Sequence, residues 1–167
     1  MRHIIGILLQ NESGALSRVA GMFSSRGYNI ESLSVAATDD PTLSRITLVT
    51  SGSETVIQQI VTQLHKLIDV VAADDMTSDD HVERELALIK LKVRPGQRDA
   101  VRALVEGSGG RILSDGADCH IVELTSSEAE INSLAKSLAS QAELLEIVRS
   151  GALAMARQER ILHVVES

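Results

Sequence analysis

The order of apolar runs and chain breakers in residues 3–71 returns in residues 86–148, and that repetition limits the fold more than anything else in the chain. In the first half, His3-Ile4-Ile5-Gly6-Ile7-Leu8-Leu9 is an apolar, β-branched run too short for a globular helix, and reads as a buried strand. Leu16, Val19, Ala20 and Phe23 then recur at helical spacing, which predicts a helix from about residue 14 to 25. Residues 28–37 read as extended, with Ile30, Leu33 and Val35 as their apolar positions; the three-residue step from Ile30 to Leu33 points to a bulge or bend. Thr38-Asp39-Asp40-Pro41-Thr42 is a turn signal, and residues 43–50 follow as a strand. Ser53 is placed to cap a helix carrying Val56, Ile60, Val61, Leu64 and Leu67, and residues 67–73 read as a fourth strand. The order is β-α-β-β-α-β, the split βαβ arrangement of ferredoxin-like folds.

The second half repeats it. Residues 86–93 form a strand, Pro95-Gly96 a turn, and Val101, Leu104 and Val105 the apolar side of a helix. Gly109-Gly110-Arg111-Ile112-Leu113-Ser114 echoes Arg26-Gly27-Tyr28-Asn29-Ile30-Glu31. Asp115-Gly116-Ala117-Asp118 is a hairpin turn, residues 120–125 a strand, and Ile131, Leu134 and Leu138 mark a second helix. Glu143-Leu144-Leu145-Glu146-Ile147-Val148 aligns with Lys66-Leu67-Ile68-Asp69-Val70-Val71. The offset is about 83 residues early and about 77 late, as a shorter central hairpin in the second copy would give. The fold class expected is α+β, with two ferredoxin-like βαββαβ domains in tandem. The first spans residues 1–76, a polar linker 77–82 follows the acidic stretch around Asp74-Asp75, and the second domain spans 83–167. The pattern leaves residues 151–167 open between helix, added strand and mobile end, with Arg157, Arg160 and His163 unassigned.

One Phe, one Tyr and no Trp leave the cores to aliphatic side chains. A formal net charge of −7 argues against nucleic acid or an anionic membrane as partner. No apolar run approaches the roughly 20 residues of a membrane span, and no signal-peptide pattern opens the chain. With a single Cys119 there is no internal disulfide framework, so the expected location is the cytoplasm.

The turn Asn11-Glu12-Ser13-Gly14-Ala15-Leu16 feeds a strand into the start of a helix, where several backbone N–H groups lack partners and favour an anion. Plain capping by Ser13, with Gly14 fitting the bend, is the competing explanation. The second half has Lys92-Val93-Arg94-Pro95-Gly96 at this place, so only the first domain keeps the small-residue turn. In a sheet of strand order 4-1-3-2 the strand over residues 28–37 lies at an edge, and its Ile30, Leu33, Val35 and Ala36 invite pairing with the same strand of a second subunit. A ligand held by the turn of one subunit could then reach Asn29 and Ile30.

His65, His81 and His120, with Glu83, Glu85, Asp118 or Cys119, lack the paired short spacing of a metal site. Gly107-Ser108-Gly109-Gly110 lacks the Lys-Ser/Thr of a phosphate loop and precedes a strand. No motif marks a nucleophile with its base. The expectation is a chain without catalytic residues, metal or cofactor of its own.

Four ordered blocks are recognisable: Asn11-Glu12-Ser13-Gly14-Ala15-Leu16-Ser17-Arg18-Val19, Arg26-Gly27-Tyr28-Asn29-Ile30-Glu31-Ser32-Leu33, Thr38-Asp39-Asp40-Pro41-Thr42-Leu43-Ser44-Arg45 and His81-Val82-Glu83-Arg84-Glu85-Leu86. Together they resemble the small, regulatory subunits of bacterial acetohydroxyacid synthase (acetolactate synthase). The resemblance implies that the first domain is an ACT domain, a sensor and dimerisation module, and that dimers form through side-by-side ACT domains. It implies a large catalytic subunit as partner, which carries the thiamine diphosphate, Mg²⁺ and FAD, and which the small subunit activates and makes sensitive to a branched-chain amino acid, most often valine. Carried onto matching positions, the ligand site is Asn11, Gly14, Ala15, Leu16, Asn29 and Ile30. Backbone N–H groups of residues 14–16 would take the carboxylate, the Asn11 and Asn29 amides suit the two ends of a zwitterion, and Leu16 and Ile30 would face the branched side chain. Two alternatives are a free-standing amino-acid-binding regulator of another enzyme or of transcription, and a small ferredoxin-like enzyme; the missing basic helix-turn-helix and acid/base constellation weigh against them.

Overall fold

The computed structural model describes residues 1–157 and Leu162. They divide into two compact units. Met1–Val82 and the described residues from Ala152 on make the first, and Glu83–Gly151 the second.

The first unit runs β1 (Arg2–Gln10), α1 (Ala15–Ser25), β2 (Ser32–Ala37), β3 (Leu43–Ser51), α2 (Glu54–Leu64) and β4 (Val70–Asp75). The sheet order is β2-β3-β1-β4, the order expected for the split βαβ fold, and every neighbouring pair is antiparallel. Alternation decides what each strand residue meets. Ile5, Ile7 and Leu9 of β1 join Ile46 and Leu48 of β3 in one core with Val19 and Phe23 of α1 and Ile57, Ile60 and Leu64 of α2. Each such side chain, fully withdrawn from water, contributes about 1.5–3 kcal/mol. Ser53 caps α2 as its sequence implied, accepting from the Val56 amide at 3.4 Å. The alternate residues Ile4 and Val49 form a smaller cluster with Met76, Ala152 and Ala154, so β1 is buried on both faces. Ala152 precedes β9 (Leu153–Ala156), a short added strand that contains Ala154.

The second unit runs β5 (His81–Lys92, its first two residues in the first unit), a 3-10 turn (Pro95–Gln97), α3 (Arg98–Gly107), β6 (Arg111–Asp115), β7 (Cys119–Ser126), α4 (Glu128–Gln141) and β8 (Glu143–Arg149). Its sheet order, β6-β7-β5-β8, is the first unit's order with corresponding strands. The same bulge recurs as well, between Leu8 and Leu9 against β4 and between Lys90 and Leu91 against β8.

That bulge corrects the sequence alignment of the two halves. Val70 lies opposite Leu9 and Leu144 opposite Leu91, so Val70 corresponds to Leu144 and not to Ile147. Residues 66–69 are turns after α2, closed by Lys66 N–H to Gln63 O (3.2 Å), Leu67 N–H to Leu64 O (3.0 Å) and Val70 N–H to Leu67 O (3.1 Å). The fourth strand therefore starts at Val70, three residues later than expected. The second strand likewise starts at Ser32, because residues 28–31 are held as a bent segment by Thr50 Oγ1 and the Val49 carbonyl.

The second unit begins at Glu83, where the second domain was expected to begin, but the compact units differ from the expected division at 76 and at the C-terminal end. Met76 is buried in the first unit, His81 and Val82 already belong to β5, and Ala152 to Arg157 group with the first unit. The residues that draw them there are apolar, since Ala152 and Ala154 complete the Ile4–Val49–Met76 cluster. Of the open C-terminal segment, residues 153–156 are strand and Arg157 pairs with Asp80 (3.1 Å); Arg160 and His163 lie outside the described residues.

Candidate functional site

The turn between β1 and α1 is fixed from both sides. Gln10 N–H donates to Asp69 O (2.8 Å), Asn11 N–H to Thr42 O (2.7 Å), and the Asn11 side-chain amide to Pro41 O (2.9 Å). Gly14 is the N-cap of α1 at φ 87°, ψ −10°, with no side-chain cap. Ser13 is not the N-cap residue, which removes the plain-capping explanation. Because a helix cannot satisfy its own first amides, the start of α1 presents N–H groups beside exposed Gly14 and Leu16. Ala15 is 1% exposed and packs in the core, and its N–H already donates to Glu12 O (3.2 Å).

Asn29 and Ile30 are built by different contacts. Tyr28 N–H donates to Phe23 O (3.0 Å) and the two rings meet edge to face, centroids 6.1 Å apart. The Thr50 hydroxyl donates to Asn29 O (2.6 Å), and Glu31 N–H to Val49 O (2.9 Å). The Asn29 side chain is exposed, and half-buried Ile30 packs on the core.

The two groups do not meet within one chain. Asn11 is tied to Thr42 at one end of β3 and Asn29 to Thr50 at the other, eight residues of extended chain or about 27 Å apart. A free amino acid spans a fraction of that distance.

Comparison with known proteins decides the family. A model of the AHAS small subunit-like ACT domain matches residues 5–72, and one of the small subunit of acetolactate synthase matches residues 84–158. The chain is 44% identical over 162 residues to the acetolactate synthase isozyme 3 small subunit of Escherichia coli K12, covering 97% of this chain and 99% of that one. It is 42% identical over 160 residues to the acetolactate synthase small subunit of Haemophilus influenzae, covering 96% and 98%. The crystal structure of the acetolactate synthase small subunit from Thermotoga maritima superposes with a TM-score of 0.85 at 31% identity, covering 96% of this chain and 99% of that one.

The chain belongs to the acetolactate synthase small-subunit family.

The ACT domain of this chain also carries an ion pair that its sequence pattern did not single out. Asp69, 3% exposed, accepts both Nε and Nη2 of Arg18, the second at 2.9 Å. Hydrogen bonding to Arg18 holds the Asp69 carboxyl below the usual carboxylate range and raises the Arg18 guanidinium in turn. Glu12 adds to the field on Arg18. Only the three-dimensional fold brings these two residues together across 51 positions of sequence.

The histidines considered for a metal stay apart. His65 follows α2 on the surface, His81 Nδ1 lies 2.8 Å from Asp79 O, and His120 is buried in β7. Glu85 is engaged by Arg149 and by the Gly151 amide at 3.1 Å. Among the described residues no three ligating side chains converge. Gly107-Ser108-Gly109-Gly110 ends α3, with Gly109 at φ 74° as Gly27 at φ 70° ends α1. Among the described residues no helix is long and apolar enough to cross a membrane.

Proposed function

We propose that this chain binds and activates the catalytic subunit of acetohydroxyacid synthase and subjects it to end-product inhibition by a branched-chain amino acid, valine first. The chain contributes no catalytic group in this reading, and thiamine diphosphate, Mg²⁺ and FAD stay with the partner. The observation that carries it is the separation of the two half-sites along β3, together with the open edge of β2.

β2 is an edge strand, and its later residues Val35, Ala36 and Ala37 are exposed and apolar. Antiparallel pairing of two β2 strands about a two-fold axis sets the start of one strand beside the end of its partner. Asn29 precedes the start of β2, and the 38–42 hairpin that holds Asn11 follows its end. The pairing thus brings Asn29 and Ile30 of one protomer toward Asn11, Gly14 and Leu16 of the other. Helix-start N–H groups suit a carboxylate, the two Asn amides a zwitterion, and Leu16 and Ile30 a branched side chain. Because one methylene is worth only about 1–3 kcal/mol in an apolar pocket, leucine and isoleucine should bind more weakly than valine without being excluded.

Inhibition then requires valine to favour one arrangement of the dimer, with coupling to the catalytic partner of about 1–3 kcal/mol. The test is to mix the purified chain with the catalytic subunit and assay pyruvate condensation with and without valine. The expected outcome is co-elution, higher activity, and suppression by valine. No co-elution and no change in rate would refute the proposal.

A further inference from the structure

We propose that Arg18, held on buried Asp69, reads the carboxylate of the amino-acid effector through Nη1. This rests on the amino-acid site proposed above and adds to it a charged residue.

Three observations converge on Nη1. First, Nε and Nη2 are both committed to the Asp69 carboxylate, and a guanidinium is planar, so its third nitrogen is fixed in place. Among the described residues Nη1 has no partner of its own. Second, Nη1 lies against Gly14. A Cβ built on Gly14 would stand 3.1 Å from Nη1 and 3.7 Å from Cζ, so a side chain at position 14 would push the guanidinium back by a few tenths of an ångström from the start of α1. Third, the anchor is rigid. Asp69 is 3% exposed, and its carbonyl accepts the Gln10 amide at the end of β1, so guanidinium and turn share one support.

The second unit serves as an internal control. Gly27 and Gly109 end α1 and α3 in the same left-handed conformation, 82 residues apart, which equates Gly14 with Gly96 and Arg18 with Ala100. Gly96 is not among the positive-φ glycines and lies in the 3-10 turn. Val70 corresponds to Leu144, so Asp69 corresponds to Glu143, which is exposed. The fold is thus built a second time without the cation, its buried anchor or the left-handed cap. An ion pair needed only to tie the first helix to the sheet would have been needed in both units. The pair belongs to the unit that keeps the turn.

The experiment measures L-valine and L-valinamide binding to the full chain by titration calorimetry. Valinamide keeps the side chain and the amine but lacks the carboxylate. In the wild-type chain valine should bind more tightly. In Arg18→Gln the preference should shrink about tenfold or more, as loss of a charge-assisted contact predicts, with valinamide affinity nearly unchanged. Because that variant leaves Asp69 buried without its cation, Arg18→Gln combined with Asp69→Asn provides a neutral pair, and the same loss of preference is expected. A purely positioning role would weaken both ligands alike, and an unchanged ratio in a folded variant would overturn the proposal. A wild-type chain that binds no branched-chain amino acid would remove the amino-acid reading itself, and this proposal with it.

Discussion

Gly14 is the residue where the backbone conformation and the proposed ligand site meet. At φ 87° it sits where an L side chain costs about 1–2 kcal/mol, and an added Cβ would press on Arg18 Nη1. Gly14→Ala should therefore lower stability by about that amount in urea unfolding and weaken valine binding in calorimetry. Equal stability and affinity would mean that the left-handed cap is dispensable. The turn was legible in sequence because small residues between a strand and a helix are a local signal. Arg18 and Asp69 were not, since each is an ordinary charged residue in its own neighbourhood and nothing periodic links them. Asn11 and Asn29 stand between these cases. Their chemistry was readable, whereas their separation of about 27 Å depends on which end of β3 each is tied to.

Among the elements, the two edge strands at corresponding places differ in what they permit. β2 keeps unbroken register with β3 from Ser32 to Ala37, whereas β6 loses register with β7 between Ile112 and Ser114, which leaves Leu113 unpaired. A bulge twists an edge away from further pairing, so β2 can extend its sheet and β6 is poorly suited to do so. Val35 is 43% exposed at the middle of β2. In the proposed dimer Val35→Glu would set two like charges near the two-fold axis, and sedimentation should show a smaller mass than for the wild-type chain; Leu113→Glu on β6 should leave the mass unchanged. A dimer that survives Val35→Glu would move the interface elsewhere. Strand order was readable in advance because the βαββαβ connectivity admits few sheets. Strand starts were read less well. Residues 67–69 and 28–31 carry strand-like side chains, but local turn hydrogen bonds close the first stretch and bonds to distant Thr50 and Val49 bend the second.

For the whole chain, the informative feature is the return of residues 152–157 to the first unit. Ala152 N–H donates to Ser32 Oγ (3.0 Å) and Ala154 N–H to Thr47 Oγ1 (3.4 Å), while the two alanines cover Ile4, Val49 and Met76. Ending the chain at Gly151 should bare that cluster. Dye binding to exposed apolar surface should rise, and hydrogen exchange should quicken in β1 and β3 while α3, α4 and β7 keep their protection. Uniform loss of protection would instead indicate that the two units unfold together. The sequence pattern anticipated two domains, but a segment of four small or flexible apolar residues carries no sign of which one it completes.

That return has a consequence for synthesis. The chain leaves the ribosome from its N-terminus, so β1 to β4 emerge well before the residues that cover their second face. At about 5–20 residues per second, the intervening stretch, Glu83–Gly151, takes roughly 3–14 seconds to make. By the end of that interval the second unit has all its own strands and helices to fold with, while the first still waits with Ile4, Val49 and Met76 uncovered. The half of the chain made first is the half finished last.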